Sequence, residues 1–153
     1  MTHRFVHSRR VEFADTDLAG IMHFSNFFRF MEVSEHAFYR SLGFSVHDFR
    51  PQPDGPAIGW PRVHASADFR LPIRFEDEID VELLIERIGN KSISYVFRFW
   101  TPNKKVAATG KFTVACVQFG ESGEPMKAVP IPEEVRAKIS EAPPELIELS
   151  AKS

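Results

Sequence analysis

The 153-residue sequence lacks the features that mark several large classes of protein. It has a single cysteine, Cys116, so no disulfide can form within the chain, and the apolar run around Cys116 predicts a place in the core. No apolar segment is long enough to span a bilayer, and the first ten residues lack the apolar stretch of a signal peptide. We therefore expect a cytoplasmic protein with no membrane partner.

The sequence also lacks a strong positive charge and the common motifs that bind metals or phosphates. The net charge is -2, whereas a nucleic-acid binder needs a clustered basic surface to contact phosphates. The six histidines show no HExxH spacing, no cysteine pair accompanies them, and no glycine-rich phosphate loop is present. These absences predict no nucleic-acid partner, no metal site and no separate cofactor.

Phenylalanine, in contrast, is abundant. The chain has 15 phenylalanines and 2 tyrosines. Most of these rings must fill the core of a single domain, which a chain of this length can form. Others are expected to line a pocket for an apolar or aromatic ligand, because ligand pockets are commonly lined in this way.

The strongest periodic signal predicts a helix over residues 25–42. Ser25 is suited to cap its start, and Gly43 follows its last apolar turn. The apolar stripe recurs at spacings of three and four residues. It consists of Phe27, Phe30, Met31, Ser34, Phe38 and Leu42.

The rest of the chain is predicted to be mainly strands. A first strand covers residues 5–13, and four more follow the helix at 63–71, 79–86, 93–99 and 106–119. Short turns between them predict an antiparallel meander wrapped around the helix, an α+β fold. We expect residues 1–140 to form this single domain, with a short helix near 133–139, and residues 141–153 to be a loosely held tail.

The segment most informative about chemistry is residues 11–28, VEFADTDLAGIMHFSNFF. It places Asp15 and Asp17 in a loop between a strand and a helix N-terminus, with Gly20 able to turn the backbone tightly. Free N–H groups at a helix start can stabilise an oxyanion, and a nearby carboxylate can attack a carbonyl or activate water. The alternative is structural, because aspartates in loops also form Asx turns and caps.

The motif Phe13-Ala14-Asp15-Thr16-Asp17, with Ala19-Gly20-Ile21-Met22 and Asn26-Phe27, resembles the signature of the 4-hydroxybenzoyl-CoA thioesterase family. Weaker similarities follow in order at residues 69–72 with Asp77, at 89–92, at 108–115 and at 123–130, so the resemblance covers residues 5–135. It implies the hotdog fold, a curved antiparallel sheet wrapped around one long helix. It also implies a homodimer with active sites at the interface, often paired into a homotetramer, and hydrolysis of acyl-CoA.

Carried over to this chain, the family's catalytic carboxylate falls on Asp17 and its oxyanion donor on the backbone N–H of Phe24. Many relatives have Tyr-His where this chain has His23-Phe24, so the histidine comes one residue early. His23 is a candidate catalytic residue, and the alternative is a histidine that only forms hydrogen bonds at the edge of the loop. Asn26 is expected either to cap the helix or to orient a water molecule. Whether Asp17 is nucleophile or general base stays open, and Glu32 on the helix is the fallback carboxylate.

The substrate contacts follow from the same resemblance. The acyl group is expected to lie against Phe24, Phe27, Phe28 and Met31, whose bulk suits an aromatic or medium-chain acyl group. Lys91, Ser92 and Lys127 are the candidates for contacts with coenzyme A, whose phosphates need positive partners.

Three other functions compete with this hypothesis. A hydratase or dehydratase of the same fold typically needs a histidine and a carboxylate in a pattern that is not found here. A thioesterase acting on acyl-carrier proteins would need a basic docking surface. A non-catalytic acyl-CoA binding protein would have no use for a carboxylate beside the thioester, where its desolvation is costly.

Overall fold

The long helix predicted from the apolar period is present in a computed structural model, which describes residues 1–152. Helix α1 spans Asn26–Ser41 and buries the predicted stripe, including Phe30, Met31 and Ser34. Gly43, with a φ of 90°, turns the chain away after the last turn. The helix therefore begins and ends where the sequence predicts, although the Ser25 side chain forms no capping hydrogen bond.

A five-stranded antiparallel sheet packs against α1. Its strands, in sheet order, are β1 (Arg4–Arg10), β4 (Glu78–Ile88), β5 (Ser92–Trp100), β6 (Val106–Ala115) and β3 (Arg62–Phe69). A second, small sheet contains β2 (Ile58–Gly59), β7 (Val117–Gln118) and β8 (Lys127–Ala128). The predicted α+β class, one antiparallel sheet with one long helix, is confirmed.

The predicted meander is wrong at one pairing. β3 does not pair with the next strand, β4, but with β6, so that Phe69 lies opposite Ala108 and Ser66 lies opposite Lys111. β4 pairs instead with β1, the strand that precedes the helix. The physical reason is the connection at residues 70–77, which contains Pro72 and is too long for a tight turn. As a result β3 is an edge strand.

A cluster of charged residues on the outer face of the sheet, away from α1, joins three strands. The Glu82 carboxylate accepts hydrogen bonds from Arg4, from Arg98 Nε at 2.6 Å and from Trp100 Nε1 at 3.0 Å. Glu82 and Arg98 are both buried. Arg98 also donates to the Leu146 carbonyl at 3.4 Å, which ties the C-terminal segment to this face.

The C-terminal part contains two helices, α2 (Glu133–Arg136) and α3 (Pro144–Lys152). Helix α3 was not predicted from the sequence. That residues 141–153 are loosely held, and that the domain ends at residue 140, both stay predictions, and Ser153 lies outside the described residues. Among residues 1–152, no helix is long and apolar enough to cross a membrane.

Candidate active site

One cavity brings the Asp17 loop, the start of α1 and the segment after β3 together. Its volume is about 380 Å³. It is lined by Asp17, Ile21, Met22, Phe24, Phe27, Phe69, Arg70, Leu71, Pro72 and Ile73. All but two of these residues are apolar, and the exceptions are an aspartate and an arginine. Asp17 is half-buried, so its carboxylate can be reached by a group bound in this cavity.

Asp17 is held at the head of a tight turn. Its Oδ1 accepts the Ala19 N–H at 2.8 Å, its own N–H donates to the Ile21 carbonyl at 2.9 Å, and its carbonyl accepts the Gly20 N–H at 3.0 Å. Gly20 has a φ of 78°, a conformation that is strained for residues with a side chain. One carboxylate oxygen is therefore used to form the turn, and Oδ2 accepts no hydrogen bond within the described chain.

Asp15 and Asn26 hold this loop to the helix. The Asp15 carboxylate accepts the Glu12 N–H at 2.8 Å, and its carbonyl accepts both the His23 N–H at 2.9 Å and Asn26 Nδ2 at 2.8 Å. The Thr16 hydroxyl donates to the Phe13 carbonyl at 2.7 Å. Asp15, Thr16 and Asn26 thus form hydrogen bonds within the loop and to the helix start, and these bonds hold Asp17 in position. Of the residues in this loop motif, Asp17 lines the cavity, whereas Asp15 and Thr16 do not.

Phe24 lies two residues before the first residue of α1, and the residue is 63% exposed. Within the described residues, its backbone N–H donates no hydrogen bond, whereas the Asn26 N–H donates to the His23 carbonyl at 2.9 Å. A free N–H at the start of a helix can stabilise negative charge on a carbonyl oxygen. His23 stacks on Phe24 with 4.6 Å between ring centroids and has its Nδ1 2.8 Å from the Ser25 hydroxyl.

The aromatic residues of α1 divide between the cavity and the core. Phe27 lines the cavity and contacts Phe69 and Phe99, with ring centroids 4.8 and 5.0 Å away. Phe28 faces a separate small groove with Arg62, and Met31 is fully buried against Gly110. Of the four predicted acyl contacts, Phe24 and Phe27 thus line this cavity, and Phe28 and Met31 lie elsewhere on the helix.

The three predicted coenzyme A contacts lie at the other end of the sheet. Lys91 and Ser92 flank the turn between β4 and β5, and Lys127 is on β8, which joins the sheet region through β7. The cavity adjoins Phe99, seven residues along β5 from Ser92, which corresponds to about 24 Å of extended strand. Within one chain, these residues therefore do not contact the Asp17 cavity.

The wall opposite Asp17 was not predicted as part of the site. It is formed by Arg70, Leu71, Pro72 and Ile73, and it is tied to the Asp17 loop because the Met22 N–H donates to the Ile73 carbonyl at 2.7 Å. Two sequence signals pointed to this segment: the weak family resemblance at residues 69–72, and Pro72, which follows the end of β3 and turns the chain. The position of residues 70–73 beside the Asp17 loop depends on the pairing of β3 with β6, and that pairing was not predicted.

The fallback carboxylate belongs to a different cluster. Glu32 pairs with Arg62 at 3.1 Å, and Arg62 also donates to the buried Glu35 at 3.2 Å. Burial raises the pKa of Glu35 to about 7, the Arg62 guanidinium opposes that rise, and the Glu32 carboxylate adds to it. Neither glutamate lines the Asp17 cavity. Across residues 1–152, no group of three or more histidine, cysteine or acidic side chains is arranged to hold a metal ion.

The chain is similar to proteins of known family. Residues 11–139 match the model of the thioesterase-like superfamily. A 1,4-dihydroxy-2-naphthoyl-CoA hydrolase of Prochlorococcus marinus is 37% identical over 95 residues, which are 60% of this chain and 63% of the relative. The chain thus spans less than two thirds of the length of that curated relative.

Solved structures agree in fold. A gentisyl-coenzyme A thioesterase is 30% identical, with a TM-score of 0.73 over 86% of this chain and 99% of that protein. A 1,4-dihydroxy-2-naphthoyl-CoA thioesterase from Synechocystis, at 24% identity, has a TM-score of 0.77 over 88% of this chain and 94% of its own. The predicted hotdog fold is therefore confirmed, and the chain belongs to the thioesterase-like superfamily.

Proposed function

We propose that the protein hydrolyses the thioester of an aromatic or medium-chain acyl-CoA, with Asp17 as the central carboxylate. The observation that carries this proposal is the cavity that Asp17, whose Oδ2 accepts no hydrogen bond within the described chain, shares with the aromatic residues Phe24, Phe27 and Phe69. Relatives named as hydrolases of naphthoyl-CoA and gentisyl-CoA thioesters support the same substrate class. The aromatic faces of Phe24, Phe27 and Phe69 suit a flat acyl group.

Two routes fit this arrangement, and both use the Phe24 N–H to stabilise the oxyanion. In the first, Asp17 takes a proton from water as the water oxygen bonds to the carbonyl carbon, and the C–S bond then breaks. The leaving thiolate recovers the proton, which gives the free acid and coenzyme A. In the second, Asp17 Oδ2 attacks the carbonyl and expels the thiolate, and water then cleaves the resulting mixed anhydride.

The test is release of free thiol from a panel of CoA thioesters by the wild type and by Asp17→Asn. The panel contains benzoyl, 4-hydroxybenzoyl, phenylacetyl, hydroxynaphthoyl and straight-chain acyl groups of increasing length. We expect the variant to lose at least about 100-fold in kcat on the best substrate, since it can neither attack nor accept a proton. Asp15→Asn is the matched control, because that carboxylate bonds only to the Glu12 backbone.

The outcomes separate the competing functions. Retained activity in Asp17→Asn would overturn the mechanism, and equal losses in both aspartate variants would assign the effect to loop structure. Binding of an acyl-CoA without any turnover would support the non-catalytic binding protein. Turnover of acyl-carrier proteins, but of no CoA ester, would support the carrier-protein thioesterase.

We propose that the active form is a homodimer, and that it pairs further into a tetramer. The edge strand β3 supports this, since it presents a free backbone edge with Val63 at 65% and Phe69 at 49% exposure. The exposed Phe24 and Leu71 continue the same apolar surface around the cavity. Lys91, Ser92 and Lys127 could approach an Asp17 cavity only from another subunit. Light scattering measures the state directly, and a monomer with full activity would refute it.

We further propose that the reaction needs no metal and no cofactor beyond the coenzyme A of the substrate. Asp17 and the Phe24 N–H together supply the base or nucleophile and the oxyanion contact that hydrolysis requires. Extensive dialysis against a chelator should leave kcat unchanged on the best substrate of the panel. A loss that is restored by one added divalent metal would contradict this proposal.

A further inference from the structure

The first turn at the start of α1 is closed by His23 and not by the predicted cap, Ser25. The His23 carbonyl accepts the Asn26 N–H at 2.9 Å, and His23 Nδ1 accepts the Ser25 N–H at 3.2 Å. A residue whose carbonyl begins the helical bonds, and whose side chain accepts the N–H two residues on, acts as a helix N-cap. The Ser25 hydroxyl lies 2.8 Å from the same Nδ1, so it is not free to cap the helix itself.

These contacts determine which nitrogen of the neutral imidazole carries the proton. A backbone N–H can only donate, so His23 Nδ1 must accept with its lone pair, and the Ser25 hydroxyl then donates to the same nitrogen. The proton therefore lies on Nε2. Because Nδ1 is occupied at the helix start, and because His23 does not line the Asp17 cavity, the imidazole is poorly placed to act as a base there.

This cap leaves one backbone donor free where the helix begins. The Ser25 N–H is bound to His23 Nδ1, the Asn26 N–H to the His23 carbonyl, and the Phe27 N–H to the Phe24 carbonyl at 3.4 Å. In this turn, the Phe24 N–H alone has no acceptor among residues 1–152. Without the imidazole, the Ser25 N–H would be a second free donor one residue away, and the turn would be closed by fewer bonds.

The same imidazole supports a wall of the cavity. Its ring stacks on the Phe24 ring, with 4.6 Å between centroids and 28° between the planes. Phe24 lines the cavity together with Asp17 and is exposed, so the His23 ring is an important support for this wall within one chain. Serine or asparagine would cap the helix at least as well, but neither has a ring that can stack. Histidine combines the two contacts in one side chain.

From these contacts, and resting on the proposed thioester hydrolysis, we propose that His23 is the positioning residue of the oxyanion site. Its Nδ1 holds the first turn so that the Phe24 N–H is the free donor, and its ring holds the Phe24 ring beside the acyl group. The first contact acts on the transition state, in which negative charge develops on the carbonyl oxygen. The second acts on binding of the acyl group.

Three substitutions of His23 separate these two contributions to activity. His23→Asn keeps an acceptor near the position of Nδ1 but has no ring, His23→Phe keeps a ring but has no acceptor, and His23→Ala has neither. On the best aromatic CoA ester, we expect His23→Phe to lower kcat roughly tenfold with KM unchanged, because the oxyanion donor is less well held. His23→Asn should keep kcat within about twofold and raise KM roughly threefold, because the stacking contact is lost. His23→Ala should show both changes.

Hydrogen exchange of the Ser25 amide, followed by NMR, reports on the cap without any turnover. We expect this amide to exchange about tenfold faster in His23→Phe and His23→Ala than in the wild type and His23→Asn, because its acceptor is lost. His47→Phe is the matched control, since His47 is exposed in the loop that follows α1 and does not line the Asp17 cavity.

An equal loss of kcat in His23→Asn and His23→Phe would overturn the proposal, because the imidazole itself would then be required. Unchanged kcat in His23→Phe and His23→Ala would overturn it too, even if both variants were less stable in urea. Equally fast exchange of the Ser25 amide in the wild type and His23→Ala would show that the imidazole forms no cap. Failure of the wild type to hydrolyse any ester of the panel would instead refute the proposed function.

Discussion

A buried glutamate makes the stability of this protein depend on pH in a direction opposite to that of most acidic residues. Glu35 lies in the middle of α1 and is 1% exposed. One of its oxygens accepts from Arg62 at 3.2 Å, and the other is buried without a partner within the described chain. Ionisation of Glu35 should lower the free energy of unfolding of the wild type between pH 4 and pH 8. We predict that Glu35→Gln, which cannot ionise, lacks most of this decrease.

The magnitude follows from the pKa of Glu35. Burial raises that pKa from its ordinary value of 4.5 to about 7, against the opposing effect of Arg62. Because the pKa is higher in the folded state, the neutral acid favours folding, and this contribution is complete below pH 4.5. It is lost as the pH rises through 7, and a shift of this size corresponds to about 3 kcal/mol.

The assay is urea denaturation of both proteins at a series of pH values and one fixed protein concentration. The free energy of unfolding of the wild type, relative to that of Glu35→Gln, should fall by about 3 kcal/mol from pH 4 to pH 8. Glu32→Gln is the control, since it also contacts Arg62 but its side chain is 47% exposed. Parallel pH curves for the wild type and Glu35→Gln would refute the reasoning.

Three further predictions concern the loop, the outer face and the cavity. Gly20→Ala strains the turn at Asp17, so it should lower the free energy of unfolding by about 1 kcal/mol and lower kcat. Calorimetry measures the binding affinity separately from kcat. Glu82→Ala leaves the buried Arg98 uncompensated and should cost about 3–5 kcal/mol in urea denaturation, whereas Glu82→Gln should cost less. Phe27→Ala should cost about 3–4 kcal/mol and shift the substrate preference towards larger acyl groups, and an unchanged preference would remove Phe27 from the acyl contact.

The sequence predicted correctly the parts of the fold that depend on interactions between residues close together in the chain. The period of α1, its cap region and Gly43 depend on neighbours three or four residues away, so the sequence predicted the helix within a residue at each end. The loop placement of Asp17 followed in the same way, because a strand and a helix flank it. The motif around Asp17 indicated the chemistry that we propose for this cavity.

Pairing and direction could not be predicted in the same way. The partner of β3 is set by long-range packing, and the alternation of its residues is the same whether it joins β4 or β6. Lys91 and Lys127 were assigned to coenzyme A from the family resemblance, and this assignment stays a prediction, because within one chain both residues lie at the other end of the sheet from Asp17. Met31 has the helical spacing of a pocket residue, but its close approach to Gly110 places it in the core.

The order in which the strands lie in the sheet also determines when the candidate site can form. The wall at Ile73 is fixed by the pairing of β3 with β6, and the Asp17 loop is bonded to that wall through Met22. β6 is the last of the five strands to be synthesised. β3 can pair with β6 only after the two intervening strands have been synthesised, so this pairing is a contact of high sequence separation. A nascent chain that ends after β5 already contains Asp17, Phe24 and Arg70 but lacks the strand with which β3 pairs, so we expect the cavity to form only when the sheet is complete.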